Sequence, residues 1–155
     1  MSRLAPQEIR TFFVTSNAID RRAIFQTDRM ALLMIDVLRA NREQKRFQLH
    51  EYVVMRDHIH LLLTPAAENP LEKCMQYIKG GFSFRAKKEL GFEREIWQPG
   101  FKLHRVEDVR DYAAHVVYIH QNPVRAGMVI QAEDFAYSSA KASIELDPAP
   151  RHLQP

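Results

Sequence analysis

The sequence predicts an α+β domain built on a four-stranded antiparallel sheet. Segments of strand and helix character follow one another in the order β-α-β-β-α-β-α. Two of the strand segments are separated by only three residues, which indicates a hairpin. The chain has 155 residues, of which 46% are hydrophobic and 26% are charged. These values are typical of one soluble domain with an ordinary core.

The first half of the chain contains three strand segments and one helix segment. Residues 10–16 are β-branched and aromatic, and they predict the first strand. Residues 28–44 predict a helix, because apolar side chains recur there at helical spacing: Met30, Leu33, Met34, Val37 and Leu38. Residues 47–54 and 58–64 predict the two strands of the hairpin.

The second half of the chain adds two helices and one strand. Residues 69–90 predict a second helix, and the alternating segment 101–106 predicts a fourth strand. Residues 107–121 predict a third helix. We expect Asn122-Pro123 to end this helix, because proline disfavours helical backbone in the residue before it.

The first six elements match the split β-α-β, or ferredoxin-like, pattern. This pattern has a four-stranded antiparallel sheet with two helices on one face, and the third helix is an addition to it. We expect residues 1–147 to form this single domain. Residues 148–155 contain Pro-Ala-Pro and predict a disordered tail.

The net charge is +3, and the positive charge is concentrated in two segments. Residues 1–46 hold nine Lys or Arg against five Asp or Glu, and residues 71–105 hold eight against four. Both segments flank the hairpin. This distribution fits a polyanionic partner such as nucleic acid, although a solvated surface with uneven charge explains it equally well.

The sequence carries no signal for export, membrane insertion or disulfide formation. Its only cysteine, Cys74, cannot form an internal disulfide. Residues 1–10 lack the apolar core of a secretory signal, and no apolar run approaches membrane-spanning length. We therefore expect a soluble, cytoplasmic protein.

His58 and His60 stand two residues apart in the third strand segment. Side chains alternate between the faces of a strand, so both imidazoles leave the same face. Two neutral imidazoles at this spacing can bind one divalent metal ion. Two histidines do not complete a coordination shell, so further ligands have to come from elsewhere in the chain.

The third helix segment offers a nucleophile and a third ligand. Tyr118 and Asn122 are four residues apart and share a helix face with His115. A tyrosine hydroxyl can attack a phosphodiester, but the pKa of free tyrosine is about 10, so it needs assistance at neutral pH. An ion at His58 and His60 would assist by polarising the phosphate, with the Asn122 carboxamide as a further ligand.

Three other tyrosines are alternative nucleophiles by chemistry: Tyr77, Tyr112 and Tyr137. Tyr112 precedes Tyr118 by six residues, which places it on roughly the opposite side of the helix. Tyr137 follows the helix. We interpret both as packing residues.

Two segments carry a family resemblance. Residues 55–62, Met-Arg-Asp-His-Ile-His-Leu-Leu, resemble the His-hydrophobic-His motif of the HUH endonucleases. Residues 118–127, Tyr-Ile-His-Gln-Asn-Pro-Val-Arg-Ala-Gly, resemble the tyrosine motif of single-tyrosine HUH transposases, and most closely that of the REP-associated tyrosine transposases. Shorter stretches also match, at 13–15, 21–25, 97–101 and 136–139. The resemblance covers about residues 10–140.

The resemblance implies a ferredoxin-like fold and metal-dependent cleavage and joining of single-stranded, hairpin-forming DNA. It implies that Tyr118 is the nucleophile, which forms a 5′-phosphotyrosine, and that His58 and His60 bind Mg²⁺ or Mn²⁺. Asn122 stands where some relatives have a Gln ligand. Arg56 replaces a proline common in the family and leaves the ligand pair intact. A nucleoid-associated protein that acts as a monomer or homodimer is expected.

Basic and aromatic side chains near these motifs are candidates for DNA contacts. The candidate phosphate contacts, each of which could equally be only solvated, are Arg21, Arg22, Lys79, Lys87, Lys102 and Arg125. Trp97 and Phe101 could stack on bases, or they could anchor the turn into the fourth strand.

Two other functions fit the same motifs. A domesticated relative would bind DNA or RNA hairpins without cutting them. A rolling-circle initiator or relaxase shares the HUH chemistry, usually in a larger chain. A histidine-triad hydrolase does not fit, because Leu62 stands where its third histidine is required.

Overall fold

The computed structural model describes residues 9–155, which form a four-stranded sheet, three α-helices and several short 3₁₀ turns. The elements are β1 Thr11–Asn17, α1 Asp28–Glu43, β2 Phe47–Val54, β3 His58–Pro65, α2 Leu71–Leu90, β4 Lys102–Val106 and α3 Val109–Arg125. The strand order is β2-β3-β1-β4, and each neighbouring pair is antiparallel. The predicted α+β, ferredoxin-like sheet is confirmed.

The sheet buries an apolar cluster on each of its faces. Ile59, Leu61 and Leu63 of β3 belong to the larger cluster, which includes the buried sides of α1 and α2. Leu62 belongs to the smaller cluster, together with Ile119 of α3. Because side chains alternate along a strand, α1 and α2 cover one face of the sheet and α3 covers the other.

The face covered by α3 is the one that carries the His-x-His pair. His58 and His60 have the same parity along β3 as Leu62, so they share its face. Ile59 lies between them on the opposite face and is fully buried. The sheet therefore presents both imidazoles to the third helix.

The third helix continues four residues beyond the end predicted for it. It includes Asn122 and Pro123 and ends at Arg125. Pro123 has no N–H to donate to the carbonyl of Ile119. The next helical turn still forms, and in it the Ala126 N–H donates to Asn122 O at 3.0 Å. Pro123 and Ile119 are both buried, so packing on the sheet stabilises the helix through the proline.

The tail also differs from the disorder expected of it. Residues Arg151–Leu153 form a 3₁₀ turn, and Leu153 is buried in the smaller apolar cluster. Just before this segment, the Asp147 carboxylate accepts hydrogen bonds from Arg42 of α1 and from the backbone N–H of Leu49. One apolar anchor and one ion pair therefore hold a segment whose composition alone predicts disorder.

None of the helices within residues 9–155 combines the length and the hydropathy that a membrane crossing requires.

Candidate active site

His58 and His60 lie side by side, and each has one ring nitrogen already engaged. Their ring centroids are 4.7 Å apart. His58 Nδ1 lies 2.7 Å from Asp57 Oδ1, and His60 Nδ1 lies 2.8 Å from the Thr15 hydroxyl oxygen. Metal-binding histidines in proteins are usually held in this way, with one nitrogen hydrogen-bonded and the other free to coordinate. In both residues Nε2 is the nitrogen left for a ligand.

Burial keeps His60 neutral. It lowers the pKa of the His60 imidazole to about 3, and the nearby charges of His58 and Arg21 act in the same direction. At neutral pH this imidazole therefore carries a lone pair rather than a second proton. A neutral imidazole is the form that coordinates metal ions.

Asp57 links His58 to a guanidinium. Arg21 Nε donates to Asp57 Oδ2 at 3.0 Å, while the other carboxylate oxygen contacts His58. Burial alone would raise the pKa of Asp57, but hydrogen bonds with His58 and Arg21 outweigh it and leave the pKa below its usual value. The ionised carboxylate accepts hydrogen bonds only, so it fixes the His58 Nδ1 as the protonated nitrogen.

Tyr118 packs directly against His60 of the same chain. Its ring lies 5.4 Å from the His60 ring, edge to face, and 5.7 Å from the ring of Phe13. The Arg125 guanidinium lies 4.7 Å from the Tyr118 ring centroid. The tyrosine is 36% exposed, so it borders the histidines and is open to solvent.

Asn122 and His58 border one cleft between the hairpin and α3. The cleft has a volume of about 420 Å³, and its polar lining is Arg21, Arg56, Asp57, His58 and Asn122. Two arginines and one carboxamide thus border the same cleft as His58. Such a cleft has the charge and the hydrogen-bonding groups to accept a phosphate.

Comparison with known proteins places the chain in a family. A family model described as "Transposase IS200 like" matches residues 11–122. The chain belongs to the IS200-like transposase family. This match spans β1 to α3 and includes His58, His60, Tyr118 and Asn122. The resemblance predicted from the sequence motifs is confirmed.

Two curated relatives of this transposase are REP-associated tyrosine transposases. The one from Escherichia coli K12 is 30% identical over 130 residues, which cover 83% of this chain and 75% of the relative. The one from Haemophilus influenzae is 30% identical over 115 residues, which cover 68% of this chain and 65% of the relative. Tyrosine transposases are enzymes, so the predicted enzyme class is confirmed.

Two solved structures share the fold of this transposase. A REP-associated tyrosine transposase bound to a REP hairpin superposes with a TM-score of 0.69 at 30% identity, and covers 90% of this chain and 82% of its own. A Deinococcus radiodurans crystal structure superposes with a TM-score of 0.56 at 20% identity, covering 78% and 97%. The second likeness is one of fold alone.

Three of the predicted phosphate contacts lie on the face of the sheet that carries the histidines. Arg21 contacts Asp57, and Arg125 lies over Tyr118. Lys102 is the cross-strand partner of Thr15, and cross-strand partners share a face. Arg21 and Lys102 thus lie beside Asp57 and Thr15, which contact the histidines, and Arg125 lies beside the tyrosine.

The other three predicted phosphate contacts lie elsewhere. Lys79 and Lys87 belong to α2, on the opposite side of the sheet. The Lys79 ammonium donates to the carbonyls of Gln98 and Gly100, at 3.1 and 2.7 Å, and burial lowers its pKa. Arg22 lines a separate cleft of about 600 Å³.

Trp97 anchors the turn that precedes β4. Its indole N–H donates to Lys79 O at 2.9 Å, and its ring packs against Phe25 and Phe82. The turn-anchoring interpretation therefore describes Trp97 better than base stacking does.

The alternative tyrosines lie away from the histidine pair. The Tyr112 ring packs 6.0 Å from the His50 ring, and burial raises the pKa of its hydroxyl. Tyr77 lies beneath the Arg46 guanidinium, and Tyr137 packs against the Phe135 ring. In the described part of the chain, Tyr118 is the tyrosine whose ring packs against His60.

The contacts of four polar residues on and around α3 were not predicted. Thr15 contacts His60. Glu51 Oε1 lies 2.6 Å from His120 Nε2 and accepts a hydrogen bond from the Ser139 hydroxyl at 2.7 Å. The second network ties the C-terminal half of α3 to β2. Each residue is ordinary in the sequence, and its role depends on strand register and on contacts up to 88 residues apart.

Proposed function

We propose that this transposase cleaves and rejoins single-stranded, hairpin-forming DNA, with Tyr118 as the nucleophile. The observation that carries the proposal is the packing of the Tyr118 ring 5.4 Å from His60 within one chain. The solved relative bound to a REP hairpin supports a hairpin as the substrate. Mg²⁺ or Mn²⁺ is the proposed cofactor, with His58, His60 and Asn122 as its ligands.

The residues present fit a divalent cation. Both imidazoles have Nδ1 engaged, which leaves two Nε2 atoms from rings 4.7 Å apart. Asn122 borders the same cleft as His58 and adds a carboxamide oxygen. A mixed nitrogen and oxygen set suits Mn²⁺ and, less well, Mg²⁺. When bound, the ion would polarise the scissile phosphate and neutralise charge on its oxygens.

The residues of the chain then supply the nucleophile and its surroundings. The Tyr118 oxygen attacks phosphorus and its proton passes to solvent. The bond between phosphorus and the 3′-oxygen of the upstream strand breaks, and this oxygen takes a proton from solvent and leaves as a hydroxyl. The strand with the 5′-phosphate stays linked to the tyrosine. In the reverse step, a 3′-hydroxyl attacks this ester and releases Tyr118. The Arg125 guanidinium lies 4.7 Å from the Tyr118 ring centroid, where its positive charge would offset negative charge on the reacting phosphate.

The cations around the site provide a path for the DNA strand. Arg21, Lys102 and Arg125 lie on the face of the sheet that carries the histidines, whereas Arg22, the residue after Arg21, lines a separate cleft. Phosphate contacts by such side chains hold a strand in register without reading its sequence. Lys79 and Lys87 lie on the other side of the sheet, so we propose that they contribute less to DNA binding than the cations beside the histidines.

The decisive experiment compares Tyr118→Phe with Tyr77→Phe. Each variant is incubated with a labelled single-stranded hairpin and Mn²⁺, and the covalent adduct is measured on a denaturing gel. We expect Tyr118→Phe to form no adduct and Tyr77→Phe to form as much as the unsubstituted chain, because Tyr77 lies on α2. An adduct formed by Tyr118→Phe would reject this nucleophile.

The ligand pair is tested by the double variant His58→Ala/His60→Ala. We expect it to lose cleavage while it still retards the hairpin in a native gel, because the cations that contact phosphate remain. Cleavage at an unchanged rate would contradict the metal site. A wild-type chain that binds hairpins but cuts none of them under Mg²⁺ or Mn²⁺ would favour the domesticated binding protein instead.

A further inference from the structure

A second cluster of metal-ligating side chains lies on the same face of the sheet as His58 and His60. His104 is in β4, and Asp111 and His115 lie four residues apart on α3. His104 pairs with Phe13 across the β1–β4 ladder, and cross-strand partners share a face. The Phe13 ring contacts the rings of both His115 and His60. One phenyl ring therefore separates the two histidine clusters.

The Asp111 carboxylate joins the two imidazoles of this cluster. Asp111 Oδ2 lies 2.7 Å from His104 Nε2, and Oδ1 lies 3.1 Å from His115 Nδ1. The two imidazole rings are stacked, with centroids 4.8 Å apart. His115 Nδ1 also contacts the backbone carbonyl of Asp111 at 2.9 Å. His104 and His115 thus each contact one oxygen of the Asp111 carboxylate.

The spacing of the three side chains suits one tetrahedral metal ion. One ligand atom from each residue lies within 4.8 Å of the other two. Ligands at zinc–nitrogen distances of about 2.0–2.1 Å are separated from one another by roughly 3.4 Å. The two carboxylate–imidazole separations, 2.7 and 3.1 Å, are slightly shorter than this value. Asp108 caps the helix by accepting from Asp111 N–H at 2.7 Å, which fixes the turn that carries the carboxylate.

We propose that His104, Asp111 and His115 form a second metal site, which binds a zinc-like transition-metal ion. Two imidazoles and one carboxylate make a ligand set typical of zinc sites with one open position. Magnesium prefers an oxygen shell and loses its water reluctantly, so this cluster selects against it. The His104 side chain is 51% exposed, which gives the ion an entrance and water a place in the shell.

Occupancy of this site would join β4 to α3 one helical turn before Tyr118. His115 precedes Tyr118 by three residues, so an ion bound there restrains the helix segment that presents the tyrosine. The ion has no part in the cleavage chemistry. The site depends only on these three side chains, and it stands whether or not the chain cleaves DNA.

The test measures Zn²⁺ binding to tag-free protein by titration calorimetry. In the His58→Ala/His60→Ala background we expect one ion per chain to remain. Adding His104→Ala should weaken that binding by at least about 100-fold, whereas adding His152→Ala should leave it unchanged, because His152 is exposed and lies outside both clusters. Excess Mg²⁺ should not displace the Zn²⁺.

Two further variants guard against a folding defect. Asp111→Asn keeps the size of the side chain and should also weaken Zn²⁺ binding. In the background that retains His58 and His60, His104→Ala should lower the stoichiometry from two ions to one. The proposal is overturned if the His58→Ala/His60→Ala variant is folded by circular dichroism but binds no Zn²⁺. It is also overturned if Zn²⁺ binding survives both His104→Ala and Asp111→Asn. Neither result bears on the adduct assay with Tyr118→Phe.

Discussion

At the scale of single residues, Thr15 and Asp57 play matching parts for the two histidines. The Thr15 hydroxyl contacts His60 Nδ1, and the Asp57 carboxylate contacts His58 Nδ1. Each partner occupies one imidazole nitrogen and sets the orientation of its ring. A ligand whose ring is held in advance loses less freedom when it binds an ion, so these partners would raise the affinity of the proposed metal site without touching the metal.

The substitution Thr15→Val tests this role. Valine has the shape of threonine but cannot hydrogen-bond to His60, so we expect Mn²⁺ affinity to fall by about 10- to 100-fold. Mn²⁺ titration of hairpin cleavage measures the change. The control is Ser16→Ala, the next residue of β1, whose buried hydroxyl has no hydrogen-bond partner within residues 9–155. Equal Mn²⁺ affinities in the two variants would contradict the role of Thr15.

At the scale of elements, one residue of α3 carries much of its attachment to the sheet. Ile119 is fully buried in the smaller apolar cluster, beside the exposed Tyr118. Val117, on the other side of Tyr118, is 59% exposed. The tyrosine thus lies at the boundary between the buried and exposed sides of the helix.

The pair Ile119→Ala and Val117→Ala measures this attachment. Removing the buried side chain leaves a cavity, so we expect Ile119→Ala to lower the free energy of unfolding by about 2–4 kcal/mol. Val117→Ala should change it by less than about 1 kcal/mol, because that side chain is mostly in solvent. Urea denaturation followed by circular dichroism provides both values. Similar losses in the two variants would show that α3 is not held by this contact.

The end of α3 shows where element prediction from the sequence reached its limit. Local backbone preference predicts that the helix ends at Asn122-Pro123, and Pro123 does cost the helix one hydrogen bond, because it has no N–H to donate. Tertiary packing decides against the break, since Pro123 and Ile119 are buried together. The strands of the hairpin were predicted closely because their signals are local. A burial partner from another element leaves no such local signal.

At the scale of the whole molecule, both halves of the site come from one chain. His58 and His60 lie on the central strand β3, and Tyr118 reaches them from α3 of the same chain. In the folded chain, Tyr118 thus contacts a histidine of its own chain. This arrangement also predicts that each copy works with its own tyrosine.

Mixing two inactive variants tests this arrangement. Tyr118→Phe retains its histidines, and His58→Ala/His60→Ala retains its tyrosine. If copies exchanged the third helix, a mixture would recover activity in composite sites. We expect the mixture to form no more covalent adduct than either variant alone, because each tyrosine faces the histidines of its own chain. Recovered adduct would overturn the single-chain site.

The fold and the chemical groups could be predicted from the sequence, whereas their mutual arrangement could not. Strand periodicity assigns His58 and His60 to one face, and helix periodicity places Tyr118 beside Asn122. The face of the sheet on which α3 lies depends on burial of Leu62 and Leu153 against Ile119. The anchoring of the tail depends on Arg42 and Asp147, which are 105 residues apart. Neither contact has a local pattern.

Phe13 has a consequence for how this molecule can be observed. Its ring centroid lies 5.2 Å from His60, 4.6 Å from His115 and 5.7 Å from Tyr118. The NMR chemical shift of a fluorine atom on this ring would change when an ion binds at either histidine cluster, and when charge develops on the tyrosine. A single fluorophenylalanine at position 13 would therefore let one NMR resonance follow two binding events and one reaction.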